Sequence, residues 1–119
     1  MAEMGLFIGW GAPVRGREAK GLEVFNEAVA YAGRLQEEGR IESTEIVLLT
    51  PHGGDLYGFQ LMRGSRENLD AIRGEDEFQR ITFRAGLIVE GFGVVPAVLG
   101  EGLGPAIQLY QQQVGELAS

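Results

Sequence analysis

Apolar positions alternate along some stretches of the chain and recur at helical spacing along others. Glu45-Ile-Val-Leu-Leu-Thr50 reads as a strand, and Leu56-Tyr-Gly-Phe-Gln-Leu-Met62 as a second. Pro51-His-Gly-Gly-Asp55 between them has turn composition, so 45–63 is predicted to be a β-hairpin. Upstream, Leu6-Phe-Ile-Gly-Trp10 is a first strand, and 11–16 is a loop rich in Gly and Pro. A long helix follows over 17–38. Leu22, Phe25, Val29, Ala32 and Leu35 recur at its spacing, with Val24, Ala28 and Tyr31 widening the stripe. Gly39 fits the helix end, while Gly21 and Gly33 each cost roughly 1 kcal/mol relative to Ala.

Beyond the hairpin, Ser65 is a good N-cap, with Glu67 in the electropositive first turn. Leu69 and Ile72 mark a short helix, Gly74 breaks it, and 76–82 forms a further turn bearing Phe78 and Ile81. Leu87-Ile-Val-Glu-Gly-Phe92 reads as the fourth strand, with 94–99 extending it past Pro96. Pro105 opens a terminal helix whose stripe is Ile107, Tyr110, Val114 and Leu117. The order βαββαβ is the ferredoxin-like arrangement, of class α+β. Right-handed crossovers then place both main helices on one face of a four-stranded antiparallel sheet. The expected organisation is one domain over 1–119, with 103–117 appended.

Such a sheet is ordinarily apolar beneath its helices and polar on the other side. Here both faces are apolar. Leu6, Ile8 and Trp10 alternate with Phe7 and Gly9, and Val47 and Leu49 with Ile46 and Leu48. Tyr57, Phe59 and Leu61 stand opposite Leu56, Gln60 and Met62. Each large side chain left wet forgoes about 1.5–3 kcal/mol. A second copy of the same sheet covers more than one terminal helix can, which predicts a homodimer with sheets face to face.

Composition narrows the functional classes. The 119 residues carry 10 basic and 17 acidic side chains, a formal charge of −7. That balance is unsuited to nucleic acid, whose affinity rests on phosphate neutralisation. There is no cysteine and only one histidine, so disulfides, thiolate catalysis and a multi-histidine metal site within one chain are excluded. No apolar run nears the ~20 residues that span a bilayer, so no membrane partner is expected. Met1-Ala-Glu-Met-Gly5 has no leader pattern, and a cytoplasmic location is the expectation.

Several segments together resemble a known group: Gly5-Leu-Phe-Ile-Gly-Trp10, Leu35-Gln-Glu-Glu-Gly39, Tyr57-Gly-Phe-Gln-Leu-Met-Arg-Gly-Ser65, Glu67-Asn-Leu-Asp-Ala-Ile72 and Glu75-Asp-Glu-Phe78. Through about Phe92 the chain resembles the dimeric α+β barrel superfamily. The resemblance implies two sheets packed into a barrel, with a site between sheet and helices of each subunit. It includes cofactor-independent monooxygenases, isomerases and haem-handling proteins, so fold alone names no reaction. No cofactor is expected, since the lone histidine sits in a turn and gives no haem-ligand context.

Candidate site residues are few. Histidine is the side-chain type whose ordinary pKa lies nearest neutrality, so His52 can serve as a general base, or as a metal ligand with Asp55; it can equally be a solvated turn residue. Trp10, Arg15 and Arg17 flank the first loop, where an arginine and a helix start can receive an anion. The bland reading is surface charge. Gly9-Trp-Gly-Ala-Pro-Val14 starts like a dinucleotide motif but lacks the third glycine and the doubly wound order. Glu90, read as mid-strand, is a candidate acid or base, or a partner of Arg63 or Arg84. Tyr57 and Tyr110 can line a pocket or belong to the core. The leading expectation is a homodimer that binds or converts a small apolar or aromatic molecule by cofactor-independent oxygenation or isomerisation. The alternative is a non-catalytic structural or regulatory dimer.

Overall fold

The structure, a computed structural model, describes residues 3–118. Its elements are β1 (Met4–Trp10), α1 (Glu18–Glu37), β2 (Ser43–Leu48), β3 (Gly58–Gly64), α2 (Arg66–Arg73), α3 (Asp76–Gly86), β4 (Gly93–Val98) and α4 (Leu103–Leu117), with a 3-10 turn at Gly100–Gly102 before α4. The strands form one antiparallel sheet in the order β2-β3-β1-β4. This is the ferredoxin-like topology expected from the element order.

The local signals explain most boundaries. Ser65 caps α2, its hydroxyl oxygen accepting the Asn68 N–H at 3.1 Å. That interaction is worth about 1 kcal/mol. α1 ends in a Schellman motif: Gly39 takes φ +75°, its N–H donates to the Gln36 carbonyl, and the Arg40 N–H donates to that of Leu35. Its buried side chains are Val24, Tyr31, Ala32 and Leu35. Leu22 and Val29, expected in the buried stripe, are exposed. The sheet meets the side of α1 on which Val24 and Tyr31 lie, and this turns Leu22 towards one end of the molecule.

Two strand assignments are corrected. The stretch 87–92 is not a strand, because α3 continues to Gly86. The N–H groups of Ile88 and Val89 both donate to the Ala85 carbonyl, and the chain then turns at Gly91, where φ is +59°. A short apolar run reads alike as strand or as helix end. Here Ile88 is buried, and Val89 forms one isolated bridge with Pro13. The fourth strand is the stretch 93–98, with Pro96 opposite Leu6 on an edge strand, where a missing N–H leaves no ladder bond unmade. The hairpin is also looser than expected. β2 stops at Leu48 and β3 begins at Gly58, leaving a broad loop closed at its base by the Leu49 N–H on the Tyr57 carbonyl at 2.9 Å.

The core lies between the sheet and α1, α2 and α3. Leu6, Ile8 and Met62 from the sheet pack against Tyr31, Leu35, Leu69, Ile72, Phe78 and Ile81. Gln60 is buried on the same face, and its amide donates to the Thr44 hydroxyl at 3.0 Å. At the rim, Arg40 pairs with Glu75, whose carboxylate also accepts from the Tyr31 hydroxyl at 3.3 Å. The Arg40 hydrogen bond holds Glu75 below the usual carboxylate range, while burial and the adjacent carboxylate push Tyr31 up to about 12.

These shifts set two stability limits. Glu75 has a lowered folded pKa, so its contribution is present above the unfolded value and is lost as pH falls through the folded one. Tyr31 has a raised folded pKa, so stability falls as pH rises from about 10, the ordinary tyrosine value, towards about 12. The difference in thermal midpoint between the native chain and Glu75→Gln should therefore be larger at pH 7 than at pH 3. An unchanged difference contradicts the assignment.

The opposite sheet face carries Phe7, Val47, Phe59, Leu61 and Val95, placed together by the strand register. Phe7 and Phe59 lie 4.9 Å apart between ring centroids. No helix among the described residues packs over this face. α4 leaves the sheet at the Val98 end of β4, and every residue from Leu103 to Leu117 is exposed.

Candidate functional site

At the Trp10 end of the sheet, α1 and the turn after α3 stand away from the strand ends and leave an apolar cleft of about 390 Å³. Its floor is Trp10, its walls Val24, Phe25, Ile88 and Phe92, and its rim Leu22, Leu48, Leu49 and Tyr57. The Trp10 indole meets Phe25 edge-on, with centroids 5.9 Å apart. The carboxylate-bearing Glu18 stands at one side. There it accepts the Gly16 N–H at 3.0 Å, which ties the loop before α1 to the first residue of the helix.

Glycines shape this end. Gly58 lies opposite Trp10 in the register, and a Cβ there would come within 2.9 Å of the indole and 2.8 Å of the Val47 carbonyl. Gly21, in the interior of α1, lines the cleft, with only Ile88 near its missing Cβ, at 3.6 Å. Its helix penalty coincides with an open space. Gly11 ties three segments together. Its N–H donates to the Glu90 carbonyl at 2.7 Å, and a Cβ would stand 2.8 Å from the carbonyls of both Asp55 and Glu90.

A wider groove of about 1060 Å³ adjoins the cleft, between the 49–57 loop, the 12–15 loop and Glu90-Gly91. Pro13, Leu49 and Tyr57 border both spaces. The sequence candidates therefore gather at one end, in two groups. Trp10 and Tyr57 line the apolar cleft, whereas Arg15, His52, Asp55 and Glu90 line the groove.

Their environments differ from expectation in two cases. Glu90 is exposed in a turn, not mid-strand, and its main chain bonds Gly11 and Ala12. Arg63 pairs with Glu45 at 3.1 Å and Arg84 with Glu27 at 3.0 Å, so neither proposed partner serves Glu90. His52 is exposed, and both its ring nitrogens are engaged within its own loop. The Gly54 N–H donates to Nδ1 at 3.2 Å, so Nε2 carries the hydrogen and donates to the Leu56 carbonyl at 2.8 Å. Arg15 is exposed and Tyr57 half-exposed. Tyr110 lies on α4, outside both spaces. Among the described residues, no three His, Asp or Glu side chains are grouped to hold a metal ion, and no helix is long and apolar enough to cross a membrane.

Sequence reasoning missed Gly11, weighed Gly21 only as a cost to the helix, and placed Leu22 and Phe25 in the buried stripe. The available signal was a glycine inside a regular element, which marks a close approach or a space.

No family model matches the chain, and no curated protein matches its sequence. Solved structures do match its shape. A dimeric ferredoxin-like protein of unknown function from Jannaschia sp. CCS1 aligns with TM-score 0.59 and 15% identity, over 82% of this chain and 98% of its own. The fold is ferredoxin-like. An ethyl tert-butyl ether D (EthD) family protein from Bacillus halodurans aligns with TM-score 0.62 and 14% identity, over 82% of this chain and 99% of its own. A proposed antibiotic biosynthesis monooxygenase from Caulobacter crescentus aligns with TM-score 0.58 and 14% identity, over 84% and 92%. Ferredoxin-like neighbours thus include a dimeric protein and one described as an enzyme, on a fold that hosts more than one activity.

Proposed function

We propose that this chain is a cytoplasmic homodimer, paired through its open sheet face, that binds a small apolar or aromatic molecule in the cleft beside Trp10. The cleft carries the reading. Its volume of about 390 Å³ lies in the range of small-molecule sites, and its lining is almost wholly apolar. Gly21 keeps it open at the expense of helix propensity. The pairing is supported by the apolar face of Phe7, Phe59, Leu61 and Val95, and by the dimeric neighbour from Jannaschia. Binding is favoured over proton transfer because His52 uses both ring nitrogens within its own loop. A structural dimer without a ligand is the outcome the test separates.

Trp10 is the only tryptophan, so its emission reports the cleft. Titration with 2-naphthol should change it saturably, with a dissociation constant of about 40 μM or tighter, roughly −6 kcal/mol. Gly21→Phe should fill the cleft and weaken binding by at least about 50-fold while the sheet folds as before. A wild-type titration without saturation would favour the structural dimer.

A further inference from the structure

We propose that His52 is a proton-sensitive latch on the cleft beside Trp10. With a neutral ring it holds the 49–57 loop at the rim, and with a protonated ring it releases it. The inference rests on the ligand site proposed above and supplies the regulation of that site.

The loop has little else to hold it. Residues 50–55 are all exposed, and among the described residues no hydrogen bond between main-chain groups joins them to another element. The two ends of the loop, Leu49 and Tyr57, border both the cleft and the groove. The imidazole braces the stretch between them. Its Nδ1 accepts the Gly54 N–H at 3.2 Å, and its Nε2–H donates to the Leu56 carbonyl at 2.8 Å. The ring lies so close to Gly54 that a Cβ there would stand 2.6 Å from it. Gly53, at φ +83°, supplies the left-handed step that folds the main chain round the ring.

The latch reaches the cleft through one peptide plane. The Leu56 carbonyl and the Tyr57 N–H belong to the same planar unit. His52 grips the oxygen of that unit, and its N–H donates to the Trp10 carbonyl at 2.8 Å. Trp10 is the floor of the cleft and Tyr57 part of its rim.

The two bonds of the ring require one protonation state. Nδ1 accepts only while it carries no hydrogen. An added proton makes both ring nitrogens donors and sets an Nδ1–H against the Gly54 N–H, so the ring must turn out of the loop. Protonation of a histidine that holds a packed contact is a general switching device. Here the latched state takes the neutral ring, so latching is complete at the alkaline end and is lost as pH falls. The other titratable side chains lining the groove are Arg15 on the 12–15 loop, Asp55 and Tyr57 on the same loop, and Glu90 in the turn after α3. Among the described residues both hydrogen-bond partners of the imidazole are main-chain groups, so the switch turns on a hydrogen bond and not on an ion pair.

Histidine as a residue type changes charge between pH 5 and pH 8, a range over which 2-naphthol stays uncharged. Titrations followed by Trp10 emission at the two ends of that range test the latch. The native chain should bind about fivefold more weakly at the acid end, the worth of roughly one hydrogen bond. The Gly54 amide resonance should move over the same interval. His52→Asn supplies a carbonyl oxygen that accepts the Gly54 N–H without titrating, so its affinity should be flat. Asp55→Asn and Glu90→Gln should keep the native slope. Equal affinity at both ends, or the native slope surviving in His52→Asn, would overturn the latch and leave the ligand site standing. Absence of saturable binding at the alkaline end would overturn both.

Discussion

Val95→Arg should convert the proposed sheet-face dimer to a monomer that is still folded. Val95 stands beside Phe7 in the register, on the sheet face that no helix covers, and it is 53% exposed in the single chain. A guanidinium there stays hydrated in the monomer, so the domain tolerates it. In the dimer it would be taken from water against Phe7, Phe59 and Leu61, while Glu45, the carboxylate in the same row of the sheet, is already paired with Arg63. Burying one unpaired charge costs at least about 2 kcal/mol. A two-fold interface contains the substitution twice, giving about 4 kcal/mol, or roughly a thousandfold weaker association. Sedimentation or light scattering at micromolar concentration reads this directly. An unchanged dimer mass would place the interface elsewhere.

The second large effect is expected at Gly11. An added Cβ would meet two main-chain carbonyls, those of Asp55 and Glu90, each at 2.8 Å. Neither is the free end of a side chain that can swing aside. Gly11→Ala must therefore move the 49–57 loop or the turn after α3, and both border the site. Overpacking of this kind costs about 1–3 kcal/mol, a fall of about 4–15 °C in thermal midpoint for a domain near this size. Gly33→Ala is the matched control. A Cβ at Gly33 meets nothing within 4 Å, so the same change inside α1 should stabilise by up to about 1 kcal/mol. Calorimetry should show opposite signs for the two substitutions. The same sign would contradict the role given to Gly11.

These two sites show what was legible in the sequence. The two-sided apolar alternation of β1 and β3 was visible residue by residue, because strand side chains alternate strictly between faces. Element order was visible for the same reason, and with it the topology. The stretch 87–92 was misread because Leu87, Ile88 and Val89 satisfy a strand pattern and a helix end equally. The deciding hydrogen bonds, from Ile88 and Val89 to Ala85, depend on how far α3 runs.

The site was only half legible. Trp10, read beside an anion-receiving loop, and Tyr57, read as pocket or core, both border the apolar cleft. The close approaches at Gly11 and Gly58 and the bare wall at Gly21 were not legible, because each depends on which distant segment packs against the glycine. His52 drew attention as the single histidine of the sequence, yet its bonds to Gly54 and Leu56 make it a clasp of its own loop.

The central claim is that an apolar molecule sits between α1 and the strand ends. Amide and indole N–H chemical shifts recorded during titration with 2-naphthol test it most directly. The account predicts saturable shifts at the Trp10 indole and at Gly21, Leu22, Phe25 and Leu48, with Phe7, Phe59 and Val95 unmoved. Shifts centred on Phe7, Phe59 and Val95, or no saturable shifts at all, would contradict it.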